Sequence, residues 1–250
     1  MSSGLGVLLL DAPTYSPATP ERLGNAGSDN ALTRVVPGCT VDRLIYEPDN
    51  SLEQKLVDAA RELVRDGARV ITGNCGFMIR HQAAVSRAVD VPVLLSSVLL
   101  APLLLSCLGG TSKLGIITAS GTDLTDELLS DAGVTDLERI VVGDLLDQPE
   151  FRASIMDGTK DRDMTALERE TRDVTEALVA QNPGVSAILL ECTALPPFAA
   201  SLQRSLGLPV FDLVRLIDLF SHGFAPPASG ILVSEGRIVN YAVPQLGKRA

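Results

Sequence analysis

Short runs of apolar residues alternate along the chain with longer stretches in which apolar and charged positions recur at helical spacing. Residues 5–10 (LGVLLL) and 114–118 (LGIIT) carry no charge, as is typical of parallel strands buried on both faces. Residues 51–68 (SLEQKLVDAARELVRDGA) predict an amphipathic helix with Ser51 as its N-cap and Gly67 as its terminator. This alternation favours an α/β fold with parallel sheets covered by helices.

The same alternation continues between these landmarks. Residues 40–48 (TVDRLIYEP) and 139–146 (RIVVGDLL) are predicted strands, and an amphipathic helix follows each of them. The second of these helices is predicted over residues 164–184. Both halves of the chain therefore predict the same kinds of element.

Two segments with the same layout end near a cysteine. In the segment ARVITGNCGF an apolar run ends at Cys75, and in SAILLECTAL one ends at Cys192. A helical stretch follows each segment. A strand led by Pro92 or Pro209 comes next, 17 residues after the cysteine in both copies. Together with the two Leu-Gly runs, this spacing indicates an internal repeat.

The repeat predicts two doubly wound α/β lobes related by a pseudo-twofold axis, each with a mostly parallel sheet of about four strands. We expect residues 1–98 and 215–250 in the first lobe and residues 99–214 in the second. Ligands of such sheets bind beyond the carboxyl ends of the strands, where both cysteines are predicted. The active site is therefore expected in the cleft between the lobes, with Cys75 facing Cys192.

Three further segments need their own interpretation. The uncharged residues 91–108 approach membrane-spanning length, but the repeat counterpart after Pro209 carries charges, so we interpret them as a buried strand and helix. Residues 14–40 are rich in Pro, Gly, Asn and Ser and predict a long loop, with a short helix after Ser28, that acts as a lid. A β-hairpin is predicted around residues 235–236.

Composition narrows the classes of partner. The net charge is −10, aromatic residues make up 4% and Trp is absent, which argues against binding to nucleic acid or to an anionic membrane. The N-terminus lacks the basic start and cleavage site of a signal peptide, so we expect a cytoplasmic protein with reduced thiols. Only two histidines are present and the four cysteines have no metal-binding spacing, so no metal is expected.

Two facing cysteines are suited to inverting a carbon centre. A thiolate on one face removes the proton from the α-carbon of an amino acid or related carboxylate, and a thiol on the other face returns one. Both cysteines are predicted at strand-to-helix junctions, where backbone N–H groups and the helix dipole favour a thiolate and a bound carboxylate. The sequence therefore predicts a racemase or epimerase with Cys75 and Cys192 as its acid–base pair.

Polar and small residues near the two thiols are candidates for substrate binding. Asp11 ends the first predicted strand and is suited to orienting an amino group, although it could equally cap the next segment. Gly76 lets the backbone approach a ligand closely. The predicted substrate-binding residues are Asp11, Asn74, Gly76, Phe77, Ser120, Thr122 and Thr193.

The segments GNCGF around Cys75, ECTALPP around Cys192 and ITASGT between them resemble the aspartate/glutamate racemase superfamily over residues 5–220. The resemblance implies two α/β lobes, a small carboxylate substrate, a homodimer or higher homo-oligomer, and catalysis without pyridoxal phosphate or metal. It also implies that the two cysteines are the catalytic pair. Five candidates match positions that bind the substrate carboxylate in that superfamily: Asn74, Gly76, Ser120, Thr122 and Thr193.

The chain also departs from glutamate racemases. Those enzymes usually place Thr-His after the second cysteine, where this chain has Thr193 and Ala194, and Asp-Ser-Gly after the first strand, where it has Asp-Ala-Pro. The missing histidine argues against a glutamate racemase. Decarboxylases of the arylmalonate type retain one of the two cysteines, so the pair favours racemisation. Maleate-type cis–trans isomerisation, decarboxylation and non-catalytic binding of a small carboxylate remain alternatives.

Overall fold

A computed structural model of the chain describes residues 4–11, 31–47, 50–223, 229–234 and 237–242. Its strands are β1 (Leu5–Leu9), β2 (Leu32–Val35), β3 (Val70–Gly73), β4 (Val93–Leu94), β5 (Lys113–Thr118), β6 (Ile140–Asp144), β7 (Val185–Leu190), β8 (Val210–Phe211), β9 (Ser229–Ser234) and β10 (Arg237–Ala242). Its α-helices are α1 (Val41–Ile45), α2 (Ser51–Arg65), α3 (Gln82–Ala88), α4 (Ala101–Cys107), α5 (Asp126–Asp131), α6 (Pro149–Phe151), α7 (Met164–Gln181), α8 (Ala199–Leu206) and α9 (Leu213–Gly223). Shorter 3₁₀ turns cover Gly76–His81, Ser97–Leu100, Leu137–Arg139 and Pro196–Phe198, and a π-helical turn covers Arg152–Met156.

Two four-stranded parallel sheets form the framework. Their strand orders are β2-β1-β3-β4 and β6-β5-β7-β8, so the second sheet repeats the connectivity of the first. Each chain half places its first strand beside the strand that ends near a cysteine, with Val7 opposite Thr72 and Ile116 opposite Leu189. The predicted α/β fold with two related four-stranded parallel sheets is confirmed.

Helices cover the apolar strands, which explains why these strands show no polar face. α2 packs on β1 and β2, and α9 packs on β3 and β4; in the second sheet α4 and α7 pack on β5. Every residue of β1 and β3 is buried. Strands covered on both faces need apolar side chains at every position, which is the pattern that the sequence shows.

The repeated Leu-Gly pair allows a helix to pack closely on the first strand of each sheet. A Cβ atom at Gly6 would lie 2.8 Å from Ile71 Cδ1, and one at Gly115 would lie 2.9 Å from Leu178 Cδ2. Both spaces are filled by side chains from the neighbouring strand or helix. Glycine at these two positions therefore reflects packing rather than ligand binding.

The first sheet differs from the prediction at its edge. Residues 41–45, within the predicted strand at 40–48, form helix α1, because Val41, Leu44 and Ile45 share one helix face and the Thr40 hydroxyl accepts a bond from the N–H of Arg43. The fourth strand is instead β2, inside the segment predicted as a loop. The predicted helix after Ser28 falls largely outside the described residues.

Other boundaries agree with the pattern more closely. α2 begins as predicted, but its N-cap is Asn50 rather than Ser51, and Gly67 follows its end with a φ of 103°. Residues 91–108 form β4, a 3₁₀ turn and α4, as the repeat predicted.

Within the described part of the chain, no helix combines the length and apolarity needed to cross a membrane. β9 and β10 pair antiparallel, which confirms the C-terminal hairpin.

Shortening a core side chain in β1 is expected to destabilise the fold. Leu8 is fully buried between the helix layers, so Leu8→Ala removes packed methyl groups and leaves a cavity. We expect the free energy of unfolding to fall by about 2–5 kcal/mol, measured by urea denaturation. Leu103→Ala is the matched control, because Leu103 is 53% exposed, and it should change stability by less than about 0.5 kcal/mol. Equal effects of the two substitutions would contradict the assignment of β1 to the core.

Candidate active site

The two cysteines of the repeat lie at the carboxyl ends of β3 and β7. Asn74 separates Cys75 from the end of β3, and Glu191 separates Cys192 from the end of β7. A 3₁₀ turn begins directly after Cys75, and another begins four residues after Cys192. Both thiols line the same pocket. The structure thus brings the two cysteines together as the repeat predicted.

The pocket lining contains polar and apolar residues. Next to the two cysteines in the chain lie four of them, which gives this group: Asn74, Cys75, Gly76, Glu191, Cys192 and Thr193. The apolar residues come from α1, the turn after Cys75, the residue after β5 and the π-helical turn: Val41, Ile45, Phe77, Ala119, Ile155 and Met156. None of these described lining residues has an ammonium or guanidinium group.

The residues before the two cysteines are held in equivalent ways. Asn74 Oδ1 accepts a hydrogen bond from the N–H of Leu10, just beyond β1, at 2.9 Å. Glu191 accepts one from the N–H of Ala119, just beyond β5, and Glu191 Oε2 accepts another from the Thr118 hydroxyl at 2.9 Å. The sheets therefore position an amide in one half of the site and a carboxyl group in the other.

One hydrogen bond joins the two halves at the pocket. The Thr193 hydroxyl, from the second half, donates to the carbonyl oxygen of Asn74, from the first, at 2.6 Å. Away from the pocket, the Ser97 hydroxyl donates to the carbonyl oxygen of Leu190 at 2.8 Å. These bonds fix the separation of the two strand ends and hence the position of the two thiols.

Two buried polar atoms of the pocket residues lack a hydrogen-bond partner among the described residues. They are Asn74 Nδ2, an amide donor, and Glu191 Oε1, a carboxyl oxygen. Leaving a buried polar group unsatisfied costs roughly 1–3 kcal/mol, so such atoms call for an explanation in terms of function or a bound group. Their residues are 3% and 1% exposed and both line the same pocket.

Burial dominates the acidity of the two thiols. Burial raises the pKa of Cys192 to about 12 and that of Cys75 well above its ordinary value, and the nearby Glu191 carboxylate raises both pKa values further. The N–H groups of Phe77 and Ala194 lower the pKa of the respective thiols, as expected at the start of a turn. Their effect is smaller than that of burial. The turn N–H groups therefore favour the thiolates, as predicted, but they do not outweigh burial.

Glu191 is the most acidic group of the pocket. Burial raises the pKa of its carboxyl group to about 7, while the hydrogen bonds from Thr118 and Ala119 oppose that rise. The carboxyl group therefore loses its proton before either thiol does. At neutral pH it exchanges between its protonated and ionised forms.

Six of the nine predicted site residues line the pocket: Asn74, Cys75, Gly76, Phe77, Cys192 and Thr193. The other three lie outside its lining. Asp11 is exposed and its carboxylate accepts a bond from the N–H of Gly38 at 2.7 Å, Ser120 donates to the Asp123 carboxylate at 2.5 Å, and Thr122 is exposed. Direct substrate contacts by these three residues stay a prediction that the pocket does not support.

No cluster of three or more His, Cys, Asp or Glu side chains suited to a metal ion occurs in the part of the chain that the structure describes. All four cysteines are free thiols. Among them, Cys39 is fully buried and lies close enough to Cys75 to raise the pKa of that thiol, whereas Cys107 is exposed. Cys107 therefore offers a reference thiol away from the pocket.

Comparison with known proteins places the chain in a family. The family described as Asp/Glu/Hydantoin racemase matches residues 96–217, and the family described as AroM protein matches residues 35–108. A dimethylsulfoniopropionate lyase of Durusdinium sp. clade D is 31% identical over 236 residues, which cover 89% of this chain and 75% of that protein. The chain belongs to the Asp/Glu/hydantoin racemase family.

Solved structures with this fold come from several activities of the racemase family. Allantoin racemase from Klebsiella pneumoniae has a TM-score of 0.58 at 15% identity, with 90% of each chain covered. Unliganded arylmalonate decarboxylase has a TM-score of 0.55 at 19% identity, covering 88% of this chain and 93% of that one. At such identities these likenesses show a shared fold and do not distinguish between the reactions.

Half of the residues that line the pocket were not predicted from the sequence. The apolar residues on α1 and the π-helical turn come from segments distant in sequence, with no motif to mark them. Glu191 was detectable, because it is the only charged residue in the run SAILLECTAL and occupies the repeat position of Asn74. Burying a charged group at the end of a largely buried strand is energetically costly, so a charged residue at this position indicates a functional role.

Proposed function

We propose that the chain is a lyase that removes the α-proton of a 3-sulfonio carboxylate of the dimethylsulfoniopropionate type and releases a sulfide by β-elimination. The observation that carries the proposal is a pair of thiols in one small pocket whose described lining contains no cationic side chain. The 31% identity to a dimethylsulfoniopropionate lyase, over 89% of this chain, supports the same reaction class.

The pocket suits the sulfonium end of such a substrate. The ionisable groups of the described lining are two thiols and one carboxyl group, each of which becomes negative when it loses a proton. A sulfonium cation therefore meets no positive charge there. Its methyl groups would pack against Ile155 and Met156, and the ring of Phe77 offers a face for the cation.

The carboxylate end of the substrate needs hydrogen-bond donors near the thiols. Asn74 Nδ2 is a buried donor without a partner among the described residues, and it lies beside Cys75 in the chain. A bond from this amide to the substrate carboxylate would satisfy it. The same bond would stabilise the negative charge that spreads onto the carboxylate when the α-proton leaves.

The reaction then needs one base. The Cys75 thiolate takes the proton from C2 and forms an S–H bond, and the C2 electron pair becomes the C2–C3 double bond. The C3–S bond breaks and the sulfide leaves as a neutral molecule with both electrons of that bond. The products are an unsaturated carboxylate, dimethyl sulfide and one proton that must be returned to solvent. Cys192 would remain a thiol and donate a hydrogen bond toward the substrate.

Release of dimethyl sulfide tests the proposal. We expect the purified chain, without added cofactor, to release dimethyl sulfide from dimethylsulfoniopropionate, measured by headspace gas chromatography. Cys107→Ser is a matched control, because this thiol is exposed and outside the pocket, and it should leave the rate unchanged. No release above the buffer rate from pH 6 to pH 9 would reject the lyase assignment.

Racemisation of a small carboxylate is the second candidate. The equivalent placement of the thiols at the ends of β3 and β7 favours it, because a two-base reaction needs an acid and a base on opposite faces. Incubation with a panel of amino acids and hydantoins in heavy water distinguishes the two reactions. Uptake of deuterium at the α-carbon with inversion, and no dimethyl sulfide from the sulfonio substrate, would replace the lyase by a racemase.

A further inference from the structure

We propose that Glu191 accepts the thiol proton of Cys75, so that a thiolate forms inside the pocket, and later delivers that proton to solvent. The inference rests on the proposed function, because a β-elimination leaves one proton behind in every turnover and a racemisation leaves none. It assigns a role to a buried carboxyl group that the two-cysteine reaction does not itself use.

The position of Glu191 supports this role. The side chain is 1% exposed, and it reaches from the end of β7 to the turn after Cys75, where a Cβ atom on Gly76 would lie 2.0 Å from Glu191 Oε1. Oε2 is held by the Thr118 hydroxyl, whereas Oε1 has no partner among the described residues. One oxygen is thus anchored in the second half of the site, and the other lies beside Gly76, the residue that follows Cys75, with no hydrogen-bond partner among the described residues.

The two halves of the site differ at this position. Asn74 occupies the equivalent place before Cys75, and its amide acts neither as an acid nor as a base near neutral pH. The carboxyl group of Glu191 can do both. A reaction that runs in both directions with two equal bases has no need of this difference. A reaction that consumes one base and must regenerate it has a use for a carboxyl group in one half only.

The proton balance of the pocket leads to the same role. With a pKa of about 7 for Glu191 and much higher pKa values for both thiols, the first proton lost comes from Glu191. A thiolate then forms without a second buried negative charge if the proton moves from Cys75 to Oε1. The S–H bond breaks, the Oε1–H bond forms, and the electron pair stays on sulfur. After the α-proton reaches Cys75, the Glu191 carboxylic acid releases its proton to water and the starting state returns.

Other charged and titratable groups near the pocket act on the thiols. Cys192 and Cys39 raise the pKa of Cys75, and Arg162 lowers the pKa of Cys192. The pKa of Glu191 itself reflects burial and the bonds from Thr118 and Ala119. Because a buried histidine, His81, also lies on the turn that begins after Cys75, an inflection near 7 is assigned to Glu191 only when Glu191→Gln removes it.

The alkylation rate of Cys75 tests the proposal without any substrate. We would follow its reaction with iodoacetamide from pH 5 to pH 10 by peptide mass spectrometry. The rate in the unmodified protein should rise up to about pH 7, where Glu191 becomes available as an acceptor, and then level off until the thiol itself ionises. Glu191→Gln keeps the size of the side chain but cannot take a proton. It should abolish the inflection and lower turnover at least 100-fold.

Thr118→Val provides a second variant that keeps Glu191. It removes the hydrogen bond that favours the carboxylate, so the pKa of Glu191 should rise, and the inflection in the alkylation rate and the acid limb of the turnover profile should both move to higher pH. Unfolding curves of both variants identify a loss of fold. An unchanged inflection in Glu191→Gln, or a folded Glu191→Gln variant with full turnover, would overturn the proposal.

The two proposals fail in different ways. If the alkylation inflection depends on Glu191 but no dimethyl sulfide is released, the proton transfer stands and the lyase assignment falls. If dimethyl sulfide is released at the same rate with and without the carboxyl group, the lyase stands and the role of Glu191 falls.

Discussion

Cys75→Ser is expected to lower dimethyl sulfide release by about 10³-fold or more. A hydroxyl group has a far higher pKa than a thiol, so serine at this position supplies no base at neutral pH, and a positioned base typically contributes 10²–10⁴-fold to such a reaction. Serine is close in size to cysteine but brings a more polar hydroxyl into this buried site, so the free energy of unfolding should fall by no more than about 1–3 kcal/mol. Initial rates at saturating substrate, together with urea denaturation, measure both effects.

Cys192→Ser separates the two candidate reactions. In an elimination with Cys75 as the only base, this variant should retain measurable release, because Cys192 contributes a hydrogen bond that a hydroxyl group can partly replace. In a two-base racemase, both substitutions should abolish inversion to the same extent. Full activity in Cys75→Ser and none in Cys192→Ser would reverse the roles assigned to the two thiols.

Gly76→Ala is the second substitution with a large expected effect. A Cβ atom there would lie 2.0 Å from Glu191 Oε1 and 2.6 Å from the backbone oxygen of Glu191, so the methyl group cannot be accommodated without moving the end of β7. Overpacking of a buried site costs about 1–3 kcal/mol, and the displaced Glu191 should also reduce turnover by roughly 100-fold, or about 2.7 kcal/mol in the barrier. Urea denaturation and initial rates measure the two effects.

Gly110→Ala is the matched control for this substitution. No heavy atom lies within 4 Å of a Cβ atom at Gly110, so the change should alter stability by less than about 0.5 kcal/mol and leave turnover unchanged. A Gly76→Ala variant as stable and as active as the control would show that the end of β7 can move at little cost in free energy. The close contact between Gly76 and Glu191 would then contribute neither to stability nor to turnover.

The framework was predictable from sequence because parallel strands buried on both faces leave a strong local signal. The repeated Leu-Gly runs and the two segments ending at Cys75 and Cys192 correspond to β1, β5, β3 and β7, the central strands of the two sheets. Their order within each sheet came from the structure. The domain boundaries at residues 98, 99, 214 and 215, the oligomeric state and the cytoplasmic location stay predictions.

The edge of the first sheet was not predictable in the same way. β2 has four residues, none of them fully buried, so its sequence LTRV carries no periodic signal. The neighbouring segment at residues 41–45 is more apolar, so its sequence predicts a strand, although it forms α1. Which of two neighbouring segments pairs with β1 depends on the sheet itself, because an edge strand is selected by its partner more than by its own residues.

The sequence by itself determined the two parallel sheets, the family resemblance and the meeting of Cys75 and Cys192 at adjacent strand ends. These depend on burial patterns and on a repeat spacing, both of which are properties of the linear chain. Only the tertiary structure decided that burial outweighs the turn N–H groups in the acidity of the thiols, and that Asp11, Ser120 and Thr122 lie outside the pocket lining. It also placed Glu191 against Gly76, with one carboxyl oxygen that has no hydrogen-bond partner in the described part of the chain. Desolvation and contacts between the two halves depend on where distant segments meet in space, which no local pattern encodes.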